Sequence, residues 1–231
     1  KQIRDMRSFT KEVLLLSSDI ECFCIVPEAK DGHTAEGDRS FLKLWANIPE
    51  QTHSLNVGIV EKPRQIFRDT DALVTFLKDT PIGVVTADCV PILLYAPDIR
   101  AVGAVHAGWK GTLGGIVDNT LDVMERHGAD LSQTTAVFGP CISKEVYEVD
   151  RELGDRFVDA GFGDYVSWPE GTDGKPHIDL QGVNAERLMC RGVRPGNICF
   201  ADECTYSSGH LHSYRRDGDR AGRQLTAIAL T

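Results

Sequence analysis

The sequence predicts an α+β domain in which mixed sheets are flanked by helices. Short apolar segments typical of strands alternate only loosely with helical segments, so a doubly wound parallel sheet is not required. Neither a Gly-x-Gly-x-x-Gly segment nor a phosphate-binding P-loop is present, so no motif supports a nucleotide-cofactor fold. A chain of 231 residues can bury one large core. We therefore expect residues 1–231 to form one layered α/β domain.

The strands are predicted from short runs of apolar and β-branched residues bounded by turn-forming residues. Pro97 and Asp98 supply the turn between two of these runs, and the polar segment Lys30–Arg39 is expected to be an exposed loop. The predicted strands are Val13–Leu16, Glu21–Val26, Asn56–Val60, Ile82–Thr86, Val90–Tyr95, Ala101–Val105 and Gln224–Leu230.

The helices are predicted from apolar spacing and from capping residues. In Gly115–His127, apolar residues recur at helical spacings, and Gly128 follows as a C-cap. Ser143 is a suitable N-cap for a helix over Lys144–Ala160. Asp179 is expected to cap a third helix that continues to about Arg191.

Composition limits the classes of partner. A formal net charge of −9 argues against general binding of nucleic acid and against adhesion to anionic membranes. There is no run of about 20 apolar residues, so no membrane span is expected. The segment Lys1–Met6 lacks the features of a signal peptide, and seven irregularly spaced cysteines do not suggest a disulfide framework. These features predict a reduced, cytoplasmic protein.

The strongest functional signal is the pair Cys89 and His106. Cys89 lies where two apolar strands meet, and His106 ends the next apolar run. Asp88 adds weight, because an aspartate in an apolar segment is costly unless it is paired or lies at a cavity. With His53, which precedes another strand, the three side chains would leave a tetrahedral zinc with one open position. Cys89 and His106 alone could instead form a nucleophile and its base.

Two further clusters are weaker candidates. Cys22 and Cys24 alternate along a predicted strand and are expected to be packing residues. A second metal hypothesis involves a cluster near the C-terminus, although its polar loop is more typical of a surface segment. Its members are Cys199, Cys204, His210 and His212. Arg215 and Arg216 lie in a basic turn that could be a solvated hairpin or could hold phosphate or a carboxylate.

Four segments resemble the laccase-domain (YfiH-like) family over roughly residues 50–230. They are Thr86–Ile92, Val105–Gly111, Phe138–Ile142 and Ser213–Gly218. The family's Gln-x-His motif matches Gln51–His53. The resemblance implies that His53, Cys89 and His106 are the metal ligands and catalytic residues. It also implies a layered α/β architecture, with a cysteine–histidine arrangement similar to that of some bacterial toxin deamidases.

The resemblance implies a zinc-dependent purine nucleoside phosphorylase with adenosine deaminase activity. The substrates would be a purine nucleoside, such as adenosine, inosine or methylthioadenosine, and inorganic phosphate. Lys110, Arg215 and Arg216 are then the candidate phosphate holders. The deaminase activity would require water activated at the open zinc position. A monomer or a homodimer is expected.

Three alternatives stay open at the level of sequence. The first is a copper-dependent polyphenol oxidase, although seven scattered histidines provide only one mononuclear set. The second is a Cys–His hydrolase or deamidase, which would not need His53. The third is a non-catalytic binding module, because residues 1–49 lack the family's Gly-Gly-Val-Ser-like segment and its Asn-Arg pair.

Overall fold

The computed structural model describes residues 9–17, 19–27, 46–169 and 174–231. Within these ranges a six-stranded sheet has the order β11-β8-β6-β7-β4-β3, and a four-stranded antiparallel sheet has the order β1-β2-β12-β5. The six-stranded sheet is mixed, because its two outer pairs, β3 with β4 and β8 with β11, are parallel. A short pair, β9 with β10, lies apart from both. This mixed α/β architecture confirms the predicted fold class.

The strands have the following bounds. They are β1 Phe9–Ser17, β2 Ile20–Pro27, β3 Val57–Val60, β4 Ala72–Thr75, β5 Ile82–Thr86, β6 Val90–Ala96, β7 Ala101–Ala107, β8 Thr135–Phe138, β9 Val166–Ser167, β10 His177–Ile178, β11 Ile198–Phe200 and β12 Gln224–Leu230. The helices are α1 Trp109–Gly114, α2 Ile116–Arg126, α3 Arg151–Asp159, α4 Leu180–Cys190 and α5 Tyr214–Asp217. The loop predicted over Lys30–Arg39 lies outside the described residues.

The six-stranded sheet is the middle of three layers. Along β6, Ile92 and Leu94 face a core shared with α2 and α4, whereas Leu93 and Tyr95 face a second core shared with the four-stranded sheet. Alternate side chains of a strand point to opposite faces, so a strand covered on both faces must be apolar throughout. This explains why the β6 and β7 segments are continuous apolar runs.

The predicted helix over Lys144–Ala160 is wrong in its first half. Residues before Arg151 form turns, and the helix begins only after Asp150. The backbone of this first half pairs with residues near β10 instead: Val149 donates to the carbonyl of Pro176, and the Tyr147 carbonyl accepts from Ile178. These backbone groups are therefore used outside a helix. By contrast, Asp179 caps α4 as predicted, accepting a hydrogen bond from the backbone N–H of Gly182.

No helix in the described part of the chain is both long enough and apolar enough to span a membrane.

Candidate metal centre

Cys89 is delivered by the tight connection between β5 and β6. Asp88, directly before it, has a φ of 100°, a backbone conformation that non-glycine residues rarely adopt. The Asp88 carbonyl accepts a hydrogen bond of 2.9 Å from the N–H of Ile142, which helps to hold this bend. The bend turns the chain from one sheet into the other, since β5 belongs to the four-stranded sheet and β6 to the six-stranded sheet.

His106 reaches the same place through the β6–β7 hairpin. In this antiparallel pair Val90 lies opposite Ala107 and Pro91 lies opposite His106. Cys89, one residue before the start of β6, therefore lies beside the end of β7. The His106 side chain is almost fully buried, with 5% of its surface exposed. Its backbone N–H donates to the carbonyl of Asp71, which precedes β4.

His53 lies on a loop that is held in place by the side chains of Gln51 and Asp71. The Gln51 side-chain amide donates to the Val85 carbonyl at 2.8 Å and accepts from the Val85 N–H at 2.9 Å, as a neighbouring strand would. His53 has a φ of 63°, so its backbone is in the left-handed region. The buried carboxylate of Asp71 accepts hydrogen bonds from three successive backbone N–H groups, those of Thr52, His53 and Ser54. Together these contacts stabilise a loop conformation that would otherwise be strained.

The three side chains meet in one place. Their donor atoms all lie within 4.8 Å of one another. The Cys89 Sγ lies 3.8 Å from His53 Nε2, and the two imidazole rings are 4.9 Å apart, edge to face. Within the described residues this is the only group of three or more His, Cys, Asp or Glu side chains placed to share one ion.

Gly108 leaves the room that this arrangement needs. A Cβ atom built on Gly108 would lie 2.8 Å from His53 Cδ2 and 3.0 Å from the Cys89 Sγ. Both distances are shorter than ordinary contacts between carbon or sulfur atoms. The absent side chain therefore forms part of the cradle in which the donor atoms lie.

Asp71 determines which nitrogen of His106 can bind a metal. Its Oδ1 lies 2.7 Å from His106 Nδ1. An ionised carboxylate can only accept hydrogen bonds, so Nδ1 carries the proton and Nε2 is left as the donor atom for a metal. Burial alone would raise the pKa of Asp71, but hydrogen bonds from His106, Ser54 and Thr52 hold it well below its usual range. Carboxylate–histidine pairs of this kind are typical of zinc sites.

The electrostatics favour a thiolate at Cys89. Burial would raise the pKa of its thiol, but His106 and His53 lower that pKa from 9.0 to about 6. Conversely, burial would lower the pKa of His106, whereas Cys89 and Asp71 raise it from 6.5 to about 9. Metals bind thiolate rather than thiol, and one thiolate with two imidazoles is a donor set that suits zinc. The donor types, their spacing and the space beside Gly108 therefore fit a zinc ion.

The trio opens onto a cleft of about 450 Å³. Aromatic side chains and the arginines of the C-terminal segment form much of its wall. The lining residues are Gln51, His53, Val85, Thr86, Ala87, Asp88, Cys89, His106, Trp109, Ile142, Tyr147, Tyr214, Arg215 and Arg223.

The three predicted phosphate-binding residues occupy different places. Arg215 lines the cleft, and its guanidinium lies 5.2 Å from the centre of the Tyr147 ring. Lys110 is not part of the cleft wall, and its ammonium lies 5.6 Å from the centre of the Trp109 ring. Arg216 is directed away from the cleft, where its guanidinium donates to four backbone carbonyls. These belong to Thr205, Tyr206, Ser208 and Leu211.

The C-terminal basic segment is a short helix rather than a hairpin. α5 begins after Ser213, whose side chain accepts a hydrogen bond from the Arg216 N–H. Asp88 contacts the start of this helix, because its Oδ2 accepts a 2.6 Å hydrogen bond from the Arg215 N–H. The Asp88 Oδ1 accepts another, also 2.6 Å, from the hydroxyl of Thr205.

The second cluster of cysteines and histidines forms no comparable group within the described residues. His210 pairs with Glu203 at 3.1 Å, and the Cys204 sulfur accepts a hydrogen bond from the Ser143 N–H. These side chains therefore have local partners.

Sequence reasoning missed Asp71 and Thr205. Asp71 follows polar residues at the start of a short strand that was not predicted, and Thr205 lies in a polar loop. One signal was present for Asp71: a carboxylate followed by Ala-Leu-Val-Thr is expensive to bury without a partner.

Comparison with known families confirms the family suggested by the motifs. A family model described as multi-copper polyphenol oxidoreductase laccase matches residues 39–231. The chain belongs to this laccase family. The matched region includes His53, Cys89 and His106, the cleft and both sheets except β1 and β2.

Several relatives of this family member carry enzyme names. A protein of Deinococcus radiodurans named purine nucleoside phosphorylase is 37% identical over 180 residues, covering 78% of this chain and 68% of that protein. A protein named adenosine deaminase RL5, from an unknown prokaryotic organism, is 36% identical over 193 residues, with coverages of 78% and 73%. These similarities support an enzyme of this family.

Solved structures share the fold. The Bacillus licheniformis hypothetical protein YfiH superposes with a TM-score of 0.81 at 22% identity, covering 95% of this chain and 99% of that one. YlmD from Geobacillus stearothermophilus gives a TM-score of 0.78 at 24% identity, with 92% of each chain covered. This chain therefore shares its layered fold with both solved structures.

Proposed function

We propose that this protein is a zinc-dependent purine nucleoside phosphorylase that also deaminates adenosine. The observation that carries the proposal is the convergence of His53, Cys89 and His106 at the floor of a cleft, with donor atoms within 4.8 Å of one another. Three protein ligands leave tetrahedral zinc one open position, which is the arrangement of catalytic rather than structural sites. The names of the two relatives at 36–37% identity point to the same pair of reactions.

The shape and lining of the cleft suit a nucleoside. Its volume of about 450 Å³ is in the range of small-molecule sites. Trp109, Tyr147 and Tyr214 provide aromatic surface against which a purine can pack. A nucleoside would thus be held by stacking at its base while the reacting bond faces the trio.

Zinc held by the trio would supply a Lewis acid and would lower the pKa of water toward about 7. The protein's own contribution is to fix the donors. Asp71 orients His106 and the His53 loop, and the two histidines keep Cys89 as the thiolate. For deamination, the reaction then replaces the amino group at adenine C6 by oxygen from water and releases ammonia.

In phosphorolysis, an oxygen of inorganic phosphate attacks the ribose carbon that bears the base. The carbon–nitrogen bond breaks with its electron pair moving to the purine, which takes up a proton. We propose that Arg215 holds the phosphate, because its guanidinium borders the cleft. The Arg215 guanidinium contacts the Tyr147 ring and donates to the Val146 carbonyl at 3.3 Å, which leaves its other N–H groups as donors for an anion.

The sequence analysis names Lys110 and Arg216 as further phosphate-binding candidates, but their surroundings indicate other roles. Lys110 is exposed next to Trp109, so it would act as a charge at the rim. Arg216 would act by holding the 205–211 segment, since backbone carbonyls occupy its guanidinium.

The Cys–His hydrolase is the second candidate, and one observation favours it. A thiol with a pKa lowered to about 6 next to a histidine is the usual state of a cysteine nucleophile. A multi-copper oxidase has less support, because the described residues hold one trio and no second group for further copper ions.

A product assay tests the proposal. Protein purified without added metal is analysed for zinc and copper, then incubated with inosine or adenosine with and without phosphate. Phosphate-dependent release of free base together with ribose 1-phosphate, and conversion of adenosine to inosine without phosphate, are expected from the zinc-loaded protein. Zinc-loaded protein that gives neither product would refute the proposed activities.

A further inference from the structure

Asp88 connects the metal-binding bend to the opposite wall of the cleft. It lies directly before Cys89, and 8% of its surface is exposed. Its two carboxylate oxygens accept hydrogen bonds from the Thr205 hydroxyl and from the Arg215 N–H, each at 2.6 Å. Both partners are more than 100 positions away in sequence. One side chain therefore joins the element that carries a metal ligand to the element that carries the cleft arginine.

Hydrogen bonds to Arg216 hold residues 205–211 together as one unit. Thr205 is fully buried, and Arg216 binds the backbone carbonyls from Thr205 to Leu211. Among the described contacts, Asp88 is the residue that ties both this unit and α5 to the β5–β6 bend. The Thr205 N–H also donates to the Cys141 carbonyl at 3.0 Å, and the Arg215 guanidinium also contacts Val146 and Tyr147, so Asp88 is one of the contacts that set the position of Arg215 relative to Cys89.

The backbone of Asp88 shows that this placement is costly. A φ of 100° is unfavourable for a residue with a side chain, and glycine would adopt it freely. Position 88 nevertheless carries an aspartate in this conformation, and both of its carboxylate oxygens accept hydrogen bonds from the cleft wall. Strain of this kind usually marks a functional constraint.

We infer that Asp88 is a positioning residue that sets where Arg215 meets an anionic substrate, without binding that substrate or the metal itself. The inference rests on the proposed phosphorolysis for its kinetic consequence. Its structural consequence, the anchoring of residues 205–215, stands independently of the reaction.

Asp88→Gly is the informative variant, because glycine accepts the observed φ while the two side-chain hydrogen bonds are lost together with the carboxylate charge. We expect the KM for phosphate to rise about tenfold or more, the usual result of losing a charge-assisted contact, while zinc content stays at the wild-type level. Asp88→Asn is the matched control. Its amide can accept from the Arg215 N–H and donate to the Thr205 hydroxyl, so it should restore a KM close to wild type.

A double-mutant cycle separates positioning from general destabilisation. If Asp88 acts through Arg215, adding Asp88→Gly to Arg215→Ala should change the phosphate KM little further. A full additional increase in the double variant would overturn the inference. Thr205→Val, compared with Thr205→Ser, repeats the test with the hydroxyl removed or kept, in case Asp88→Gly does not fold.

Hydrogen exchange decides the inference without any assay of activity. In Asp88→Gly, peptides over residues 204–217 should exchange faster than in wild type, whereas peptides over residues 50–56 should not change. Unchanged exchange over 204–217 would refute the anchoring role. Faster exchange there, in a protein whose zinc-loaded wild type shows no reaction with phosphate, would instead count against the proposed function and support the role of Asp88.

Discussion

Oδ1 of Asp71 contacts two of the three proposed ligand residues, at 2.7 Å from His106 Nδ1 and at 3.0 Å from the His53 N–H. The first contact orients an imidazole, and the second fixes a loop backbone. The other oxygen, Oδ2, accepts from the N–H groups of Thr52 and Ser54. A single buried carboxylate thus orients one proposed ligand side chain and fixes the backbone of another.

Asp71→Asn should therefore weaken metal binding about 10- to 100-fold, as is usual when the partner of a ligand histidine is lost. In either orientation the new amide NH₂ faces groups that are themselves donors. Zinc affinity, measured by competition with a chromophoric chelator, checks this. Asp122→Asn on α2, whose carboxylate pairs with Arg191 away from the cleft, is the control and should keep wild-type affinity.

Cys89→Ser and His53→Ala together distinguish zinc catalysis from cysteine catalysis. If the trio holds zinc, both variants should lose bound metal and activity together, because each removes one of three protein ligands. Zinc content and product formation are measured on the same samples. An inactive Cys89→Ser variant beside a largely active His53→Ala variant would favour the Cys–His hydrolase.

Gly108→Ala should abolish metal binding by steric means. The added methyl group would lie 2.8 Å from His53 Cδ2 and 3.0 Å from the Cys89 Sγ, so one of these side chains must move. Circular dichroism should show that the variant is folded, and metal analysis should show that it contains no bound zinc. Gly196→Ala, where an added Cβ meets nothing within 4 Å, is the control; equal zinc content in both variants would contradict this account of the cradle.

In the metal-free protein the thiol of Cys89 should titrate before the imidazole of His106. Burial raises the pKa of the thiol, but the two histidines lower it by more, so that it falls from 9.0 to about 6. Burial lowers the pKa of His106, but Cys89 and Asp71 raise it by more, so that it rises from 6.5 to about 9. Alkylation of Cys89 by iodoacetamide, followed by mass spectrometry, should therefore reach half its maximal rate near pH 6. A midpoint near 9 would contradict the thiolate.

The contribution of the same pair to the free energy of unfolding should be nearly independent of pH between about 6.5 and 9. Taken alone, the lowered thiol pKa gives stability that is complete above 9.0 and is lost as pH falls through about 6. The raised imidazole pKa gives stability that is complete below 6.5 and is lost as pH rises through about 9. The two slopes have opposite signs and cancel in a coupled pair. Urea unfolding of wild type at several pH values tests this.

Arg215→Ala and Arg216→Ala should have different effects although the residues are neighbours. Loss of Arg215 should raise the phosphate KM roughly ten- to hundredfold at unchanged zinc content, and deamination, which uses no phosphate, should suffer less. Loss of Arg216 should lower the melting temperature, because four backbone carbonyls lose their donor. Unchanged phosphate dependence in Arg215→Ala would show that this arginine is only part of the wall.

The sequence predicts most strands of both sheets, but not β4, β8 or β11, and it predicts the trio, because these features depend on local patterns. Cys89 and His106 interrupt or end apolar runs, which marks them without knowledge of the fold. Asp71 also borders an apolar segment, but nothing in the sequence shows that it lies beside His106; that contact arises when β4 pairs with β7. The contact between Asp88 and Thr205 spans 117 positions, which no local pattern reports. The sequence therefore predicts features that depend on a single segment, and it does not predict contacts between segments that lie far apart in the chain.

The register of the β6–β7 hairpin sets the distance between two of the proposed ligand residues, Cys89 and His106. Its turn, residues 97–100, lies at the far end from Cys89 and His106, and the pairing of Pro91 with His106 comes from strand register. A slip of one residue would turn His106 to the opposite layer and exchange both apolar faces of β7 at once. Insertions in that turn should therefore leave the spacing between Cys89 and His106 unchanged and should be tolerated. Natural or engineered changes in length are expected at this turn and not at the end of the hairpin near the cleft.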